Sequence, residues 1–467
     1  MNFWDIVLIV VNFGILSRVM LVNGKTKRWA AFASVIAFSL VIVQLIAVGF
    51  RWQMVPAYLS PVILIMYYQF AGRKKSSKSW ISISFKTMML IIYLSVAVAL
   101  PSLLPVISFE KPTGPFTVGT TLYHWVDQKR DEPNTKDPND RRELMVQIWY
   151  PAEETGEGKR APYIRNINEI AEGLEKALSI PAFAFSQLGL VKSHAYEEAR
   201  LSNSESRYPV LLFSHGFSGF RNQNTFEVES LASQGYIVLG IDHSFDAAAT
   251  VYPDGRIAYL QSIDLNDFAK SDRHIELWKK DVAFVLDQVE KLNQSDEADL
   301  FTGRIDTSRI GMFGHSYGGA TAAQMLAEDS RIKAAINMDG TLYGSVFPDS
   351  GIGKPFLLMS ADNSEESDED SNEDFDEDSQ EVEARDKRAL AGGGMSMVIP
   401  HTNHMSFTDF SLFSPLLRSN GENPRQVHRI INEFSLAFFD RYVKQIDDGS
   451  TLSKLAAKYP EVDFQVN

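Results

Sequence analysis

The chain changes character most sharply at residues 310–323, IGMFGHSYGGATAA. Ile310–Phe313 is a short apolar run that reads as a buried strand, and Ala320–Glu328 reads as a helix that opens on small residues. Between them, Gly314-His315-Ser316-Tyr317-Gly318 sets one serine in a turn with glycines two residues to either side. Gly-x-Ser-x-Gly is common by chance, but its placement between a strand and a helix is specific. The turn is tight, and a Cβ at position 314 or 318 is expected to strike neighbouring backbone. The turn lifts Ser316 clear of the sheet and sets it at a helix N-terminus, where negative charge is favoured.

The residues around this turn repeat the same alternation. Leu144–Tyr150, Val210–Phe213, Tyr236–Ile241, Arg309–Phe313, Lys333–Met338, Pro355–Met359 and Met395–Ile399 read as strands of four to seven residues. Helical runs at 167–190, 225–234, 273–292, 320–328 and 425–445 separate several of them. Short apolar strands alternating with helices predict an α/β fold with a mostly parallel sheet covered on both faces. This region extends over residues 110–467.

Residues 1–109 differ in kind. Four apolar stretches, near 3–22, 29–50, 54–71 and 87–109, each approach the ~20 residues needed to cross a ~30 Å hydrocarbon core. They predict a multi-pass α-helical transmembrane region ahead of the α/β domain. Asp5 and Arg18 make the first stretch the weakest, and Pro101 and Pro105 fall late in the fourth. The loop after the first stretch carries Lys25, Lys27 and Arg28. The loop after the third carries Arg73, Lys74, Lys75 and Lys78, whereas the second and third stretches are separated by Arg51 alone. By the positive-inside rule both basic loops face the cytoplasm, which places the domain after residue 109 outside the cell membrane.

The formal net charge of −14 is unevenly spread: residues 1–107 sum to +9, residues 362–386 to −13, and the remainder to −10. So acidic a domain is a poor partner for nucleic acid, whose phosphates need clustered Lys and Arg. The acidic run at 362–386 (DNSEESDEDSNEDFDEDSQEVEARD) is expected to be a disordered, solvated insertion. It lacks the ligand spacing and the central glycine of an EF-hand loop, so no metal site is expected there. The chain has no cysteine, which removes disulfides and thiolate chemistry.

A serine hydroxyl attacks only when a base takes its proton, and after this kind of turn the acid and then the histidine follow in the chain. His401, His404 and His428 remain after Ser316. His428 falls inside the last helix, in a polar context that suggests the surface. His401 and His404 both follow the strand ending at Ile399. For the acid, Asp339 follows one strand and Asp362 another. The tetrahedral oxygen needs two backbone N–H groups, worth roughly 3 kcal/mol each. Tyr317, next to the serine, and Phe217, in the loop Ser214-His215-Gly216-Phe217, are the expected donors. His215 itself reads as a packing or hydrogen-bonding residue. Neither a cofactor nor a metal is called for.

Several separate segments then resemble one family. Pro115–Thr121 (PFTVGTT), Asp137–Pro151 (DPNDRRELMVQIWYP), Gly189–His194 (GLVKSH), Tyr208–Phe217 (YPVLLFSHGF), Gly314–Thr321 (GHSYGGAT), Asn337–Gly340 (NMDG) and His404–Phe410 (HMSFTDF) resemble the platelet-activating-factor acetylhydrolases of the plasma and intracellular type-II kind, and still more their bacterial relatives. The resemblance implies an α/β-hydrolase fold and a Ser316–Asp339–His404 triad, favouring Asp339 over Asp362 and His404 over His401. It also implies oxyanion donors at Phe217 and Tyr317. The implied activity is Ca²⁺-independent release of short or oxidised acyl chains from phospholipids. The membrane region and the acidic insertion depart from the family pattern, which leaves open an esterase for soluble esters or polyesters. An inactive membrane receptor or scaffold on the same fold is the third reading. The sequence names no protein partner.

Overall fold

The computed structural model describes residues 2–21, 27–71, 80–154, 158–261, 267–362 and 373–467. Two compact units are present. One is built from residues 1–107 with 186–191 and 413–416; the other comprises the rest of 108–467.

The first unit is helical: α1 (Phe3–Leu21), α2 (Lys27–Val48), α3 (Val55–Tyr58), α4 (Ser60–Ala71) and α5 (Trp80–Leu103). Among the described residues three helical segments are long and apolar enough to cross a membrane: Phe3–Leu21, Ala31–Val48 and Ile83–Leu103. The expected third span, 54–71, is broken into α3 and α4. Pro61 has no N–H to give the carbonyl of Ala57 four residues earlier. That carbonyl instead accepts from Ser60 Oγ at 2.7 Å and Asn12 Nδ2 at 3.4 Å. The fourth span begins and ends earlier than the apolar run 87–109, because α5 starts at Trp80 and stops before Pro105.

The helices alternate in direction. Lys86, near the start of α5, reaches Met20 O at the end of α1 (3.5 Å) and Tyr67 Oη late in α4 (3.2 Å). Arg18 lies over the Trp29 ring at the start of α2. The ends that lead into 22–26 and 72–79 thus share one end of the bundle. Lys25, Arg73, Lys74, Lys75 and Lys78 lie outside the described residues, and Lys27 and Arg28 begin α2. At the opposite end, Asp5 is fully buried against Arg51 (2.6 Å) and Gln44 (3.2 Å). The two charges that weaken the first span on paper are therefore a paired carboxylate and a cation held over an aromatic ring.

The second unit is built on an eleven-stranded sheet. In chain order its strands, with a separate two-stranded ribbon, are β1 (Thr117–Asp131), β2 (Arg141–Ala152), β3 (Arg160–Pro162), β4 (Lys192–Glu197), β5 (Tyr208–Ser214), β6 (Ile237–Asp242), β7 (Ala249–Val251), β8 (Ile257–Tyr259), β9 (Ile305–His315), β10 (Ile332–Met338), β11 (Phe356–Ala361), β12 (Met395–Ile399) and β13 (Asp463–Val466). The sheet order is β13-β12-β11-β10-β9-β5-β6-β2-β1-β4-β3, and β7 pairs with β8 apart from it. From β6 to β12 all neighbours are parallel; β2 and β13 join antiparallel at the flanks. Central strands such as β5 and β6 are buried at every residue, as a sheet covered on both faces requires.

The helices of this unit are α6 (Ile167–Leu178), α7 (Thr225–Ser233), α8 (Phe268–Gln294), α9 (Tyr317–Glu328), α10 (Glu373–Leu390), α11 (Phe410–Phe413), α12 (Pro424–Phe439) and α13 (Ser450–Lys458). The run read as one helix over 167–190 stops at Ser179, whose φ of 56° ends α6 before Pro181. The acidic run also departs from expectation. Residues 363–372 lie outside the described residues, but 373–386 are helical within α10 rather than disordered. Arg385 holds the helix, forking onto Asp272 at 2.8 and 2.9 Å and bonding Glu381 at 2.7 Å, while Ala389 is buried in the core.

Candidate active site

Ser316 stands where the strand–turn–helix pattern put it, between the end of β9 and the first residue of α9. Its backbone is at φ 54°, ψ −124°, a conformation that costs a non-glycine residue on the order of 1–3 kcal/mol. The flanking glycines make the turn possible. A Cβ on Gly314 would collide with Gly318, and one on Gly318 with the carbonyls of Ser214 and His215.

Asp339 directly follows β10, the neighbouring strand, also with positive φ. Its Oδ1 accepts from the Ala361 N–H at 2.8 Å, and its Oδ2 lies 2.7 Å from His404 Nδ1. Burial pushes this carboxyl up, but the hydrogen bond and charge of His404, with the Ala361 N–H, outweigh that and hold it below its ordinary value. It therefore stays ionised. The competing candidates are elsewhere: Asp362 Oδ2 accepts from the backbone N–H of His401 at 3.3 Å, and His401 is exposed. His428 is not at the surface as its polar neighbourhood suggested. It is buried, stacked on Phe226 at 3.8 Å and bonded to Thr408 O.

Ser316 and His404 share a cavity of about 50 Å³ with Gly216, Phe217, Leu174 and Leu178. Phe217 thus lines the cavity by the route expected from β5. Tyr317 opens α9, in the first turn, where backbone N–H groups have no partner inside the helix.

Three supports around these residues were not anticipated. First, His315 donates from Nε2 to His404 O at 2.9 Å and accepts at Nδ1 from Gln223 Nε2 at 3.1 Å. Burial, and then the charge of His404, push its pKa down to about 3, so it remains neutral. Second, Asp409 accepts from the N–H groups of Thr225 and Phe226 at the start of α7, tying the 404–410 segment down. The Asp of the HMSFTDF segment is thus a helix cap, worth ~1 kcal/mol or more. Third, Ser214 Oγ bonds His243 Nε2 (2.9 Å), and His243 Nδ1 bonds Asp281 (3.0 Å), which is paired with Arg142 (2.6 Å). All four side chains are buried, and the chain of bonds anchors the end of β5 where the Phe217 loop begins. His215 accepts from the His243 N–H and is pushed to about 3 by burial, a structural residue as its context suggested.

The model of the family described as platelet-activating factor acetylhydrolase, isoform II, matches residues 105–457. A platelet-activating factor acetylhydrolase from Cavia porcellus is 23% identical over 379 residues, covering 74% of this chain and 81% of that protein. A probable 1-alkyl-2-acetylglycerophosphocholine esterase from Arthroderma benhamiae is 27% identical, covering 57% of this chain and 68% of its own. The solved ferulic acid esterase from Streptomyces cinnamoneus superposes with a TM-score of 0.60 at 29% identity, over 77% of this chain and 99% of that one. With a parallel-centred sheet, a serine elbow and a family match over three quarters of its length, the chain belongs to the platelet-activating factor acetylhydrolase isoform II family of serine ester hydrolases.

Proposed function

We propose that Ser316 is the nucleophile, His404 its base and Asp339 the orienting acid, with the Phe217 and Tyr317 N–H groups as oxyanion donors. The observation that carries this is the 2.7 Å Asp339–His404 bond on the rim of the cavity that also holds Ser316. Asp339 keeps the proton of His404 on Nδ1, leaving Nε2 to take the proton of Ser316 Oγ as that oxygen attacks the ester carbonyl. The C–O bond to the alcohol breaks, and His404 returns the proton to the leaving oxygen. Water then attacks the acyl-enzyme with the same base, releasing the acid and restoring Ser316.

The substrate we infer is a phospholipid-like ester with a short acyl chain. The names of the relatives favour that class, and Leu174 and Leu178 in the cavity give an acyl group apolar surface beside Ser316. Likeness to a ferulic acid esterase keeps soluble esters as the second reading. A fluorophosphonate probe separates enzyme from inactive scaffold: it should label the wild type and not Ser316→Ala. Equal labelling of both would end the serine proposal, whereas labelling lost without loss of esterase activity would move the chemistry to another group.

We further propose that the helical unit spans the cell membrane and that the hydrolase unit lies outside. The segment α3–α4 then forms the third leg; its 17 residues would reach about 25 Å as unbroken helix, and less with the break at Leu59. The shared end of the bundle that leads into 22–26 and 72–79 supports keeping both basic segments inside. Protease added to intact cells should cleave the hydrolase unit. Complete protection until lysis would refute the orientation.

A further inference from the structure

A second cavity, of about 140 Å³, lies in the hydrolase unit between residues 108–113 and the helices α7 and α12. It shares no lining residue with the cavity of Ser316. Its cations are Lys111, Arg425 and Arg429, and its acids are Glu110 and Glu433. Glu433 is already engaged by Lys458 at 2.6 Å and by Tyr459 Oη at 3.1 Å. Glu110 stands 3.5 Å from Arg429 and 3.7 Å from Arg425, longer than the ~2.7–2.9 Å of a well-formed charge-assisted bond. Arg425 also donates to Ser108 O and Oγ, each at 3.2 Å, but Ser108 carries no charge. The three cations are therefore met by one loosely held carboxylate, a local excess of two positive charges in a strongly acidic protein. His428, in the wall, is pushed to about 3 by burial and adds no charge.

From this arrangement we propose that the cavity is a non-catalytic binding site for the phosphodiester of an anionic phospholipid. Two guanidiniums one helical turn apart suit the fork geometry of phosphate oxygens. The apolar part of the lining, the floor of the proposed site, includes Phe226, Leu412 and Leu436, which suits a glycerolipid better than a free, fully hydrated anion. Ser108, on the rim, follows the last residue of α5 by five residues, at most ~18 Å of chain. That last argument rests on reading α5 as a span; the charge and the floor do not. The lipid's glycerol backbone would lie against Phe226 and Leu412, its phosphate between Arg425 and Arg429, and Lys111 would offset the second negative group of a headgroup that carries one.

The test uses the full chain in dodecyl maltoside, with Ser316→Ala throughout so that no probe is hydrolysed. The thermal midpoint is followed against dihexanoyl phosphatidylglycerol, dihexanoyl phosphatidylcholine and inorganic phosphate. Phosphatidylglycerol should raise the midpoint saturably, and Arg425→Gln/Arg429→Gln should weaken its apparent affinity at least tenfold. Arg425→Lys/Arg429→Lys should recover only part of that loss. In a chain with Ser316 intact, the double Gln variant should still hydrolyse p-nitrophenyl acetate at the wild-type rate, which shows that it is folded. An equal response to phosphatidylglycerol in the double Gln variant would overturn the site. Phosphatidylcholine acting as well as phosphatidylglycerol would overturn the requirement for net charge, and phosphate alone matching the lipid would overturn the lipid assignment. None of these outcomes depends on whether α5 crosses a membrane, so failure here and failure of the topology are read separately.

Discussion

Replacing Asp339 by Asn tests the proposed triad more sharply than removing the serine, because the structure fixes how the new amide must lie. The carboxylate accepts twice, from the Ala361 N–H at 2.8 Å and from His404 Nδ1 at 2.7 Å. An amide has one oxygen and one NH₂ for those two places. If the NH₂ faced Ala361, two donors would oppose each other in a buried position, at a cost of about 1–3 kcal/mol. The amide therefore turns its oxygen to Ala361 and its NH₂ to His404. His404 Nδ1 must then accept, which puts the imidazole proton on Nε2, where it cannot take the serine proton. Loss of the correct tautomer costs on the order of 10⁴ in kcat, or about 5 kcal/mol of transition-state stabilisation. Asp362→Asn, at a side chain that accepts from the His401 backbone N–H at 3.3 Å and does not bond His404, should change kcat less than about threefold on the scale of ordinary surface substitutions. Both variants are assayed with p-nitrophenyl acetate and a short-chain phosphatidylcholine, after checking that thermal midpoints match the wild type. Activity of Asp339→Asn within tenfold of wild type, or a larger loss in Asp362→Asn, would refute the tautomer argument and the choice of acid together.

Two further perturbations probe regions away from the triad. Asp5→Leu strands Arg51 in the helical unit and should destabilise detergent-solubilised protein by about 3–5 kcal/mol, while Asp5→Leu/Arg51→Leu should recover most of it; equal losses in the two variants would show that the pair does not hold the bundle. Asp386, in α10, has its carboxyl pushed up to about 7, by burial first and then by the charge of Asp339, against roughly 4 when unfolded. Its ionisation thus removes stability as pH rises from about 4 to 7, so the gain from Asp386→Asn should grow between pH 5 and pH 8 in urea titrations, and a pH-independent difference would contradict the assignment.

What could be read from the sequence follows the strength of local constraint. The central strands β5, β6, β9, β10, β11 and β12 were legible because a strand buried on both faces must be apolar throughout. The long β1 was not, since a mixed stretch such as HWVDQKR at a flank carries no continuous apolar run: only residues 118–121 are buried in succession, and the strand then turns half-buried and finally mostly exposed. The short flanking strands β3 and β4 and the terminal β13 failed for the same reason. Composition also misjudged α10. Fourteen acids and one arginine between 362 and 386 predict self-repulsion, but Arg385 draws Asp272 and Glu381 together and docks the helix through a tertiary contact that no local window contains. At the site, spacing alone left His401 beside His404 and Asp362 beside Asp339. Three residues decide between the histidines, and only the fold measures which one meets the acid.

A second serine–histidine–aspartate arrangement among the described residues, beside the proposed triad, shows why motif geometry is insufficient by itself. Ser214, His243 and Asp281 have hydroxyl, imidazole and carboxylate at 2.9 and 3.0 Å, spacing that would serve general-base catalysis as well as the Asp339–His404 bond does. Yet Ser214 ends an extended strand, is fully buried, and has Arg142 clamping its aspartate, so its hydrogen bonds serve to hold β5 in place. Ser316 differs in three respects that the turn itself creates: a strained backbone that lifts it from the sheet, a helix N-terminus behind it, and an open cavity in front shared with His404 and Phe217. The glycines at 314 and 318 are the sequence record of that difference, since without them the turn collides with its own backbone and with β5. Anchored by the buried set, β5 in turn delivers the Phe217 loop to the cavity. The inaccessible residues thus support the accessible ones by positioning the proposed oxyanion donor rather than by chemistry of their own.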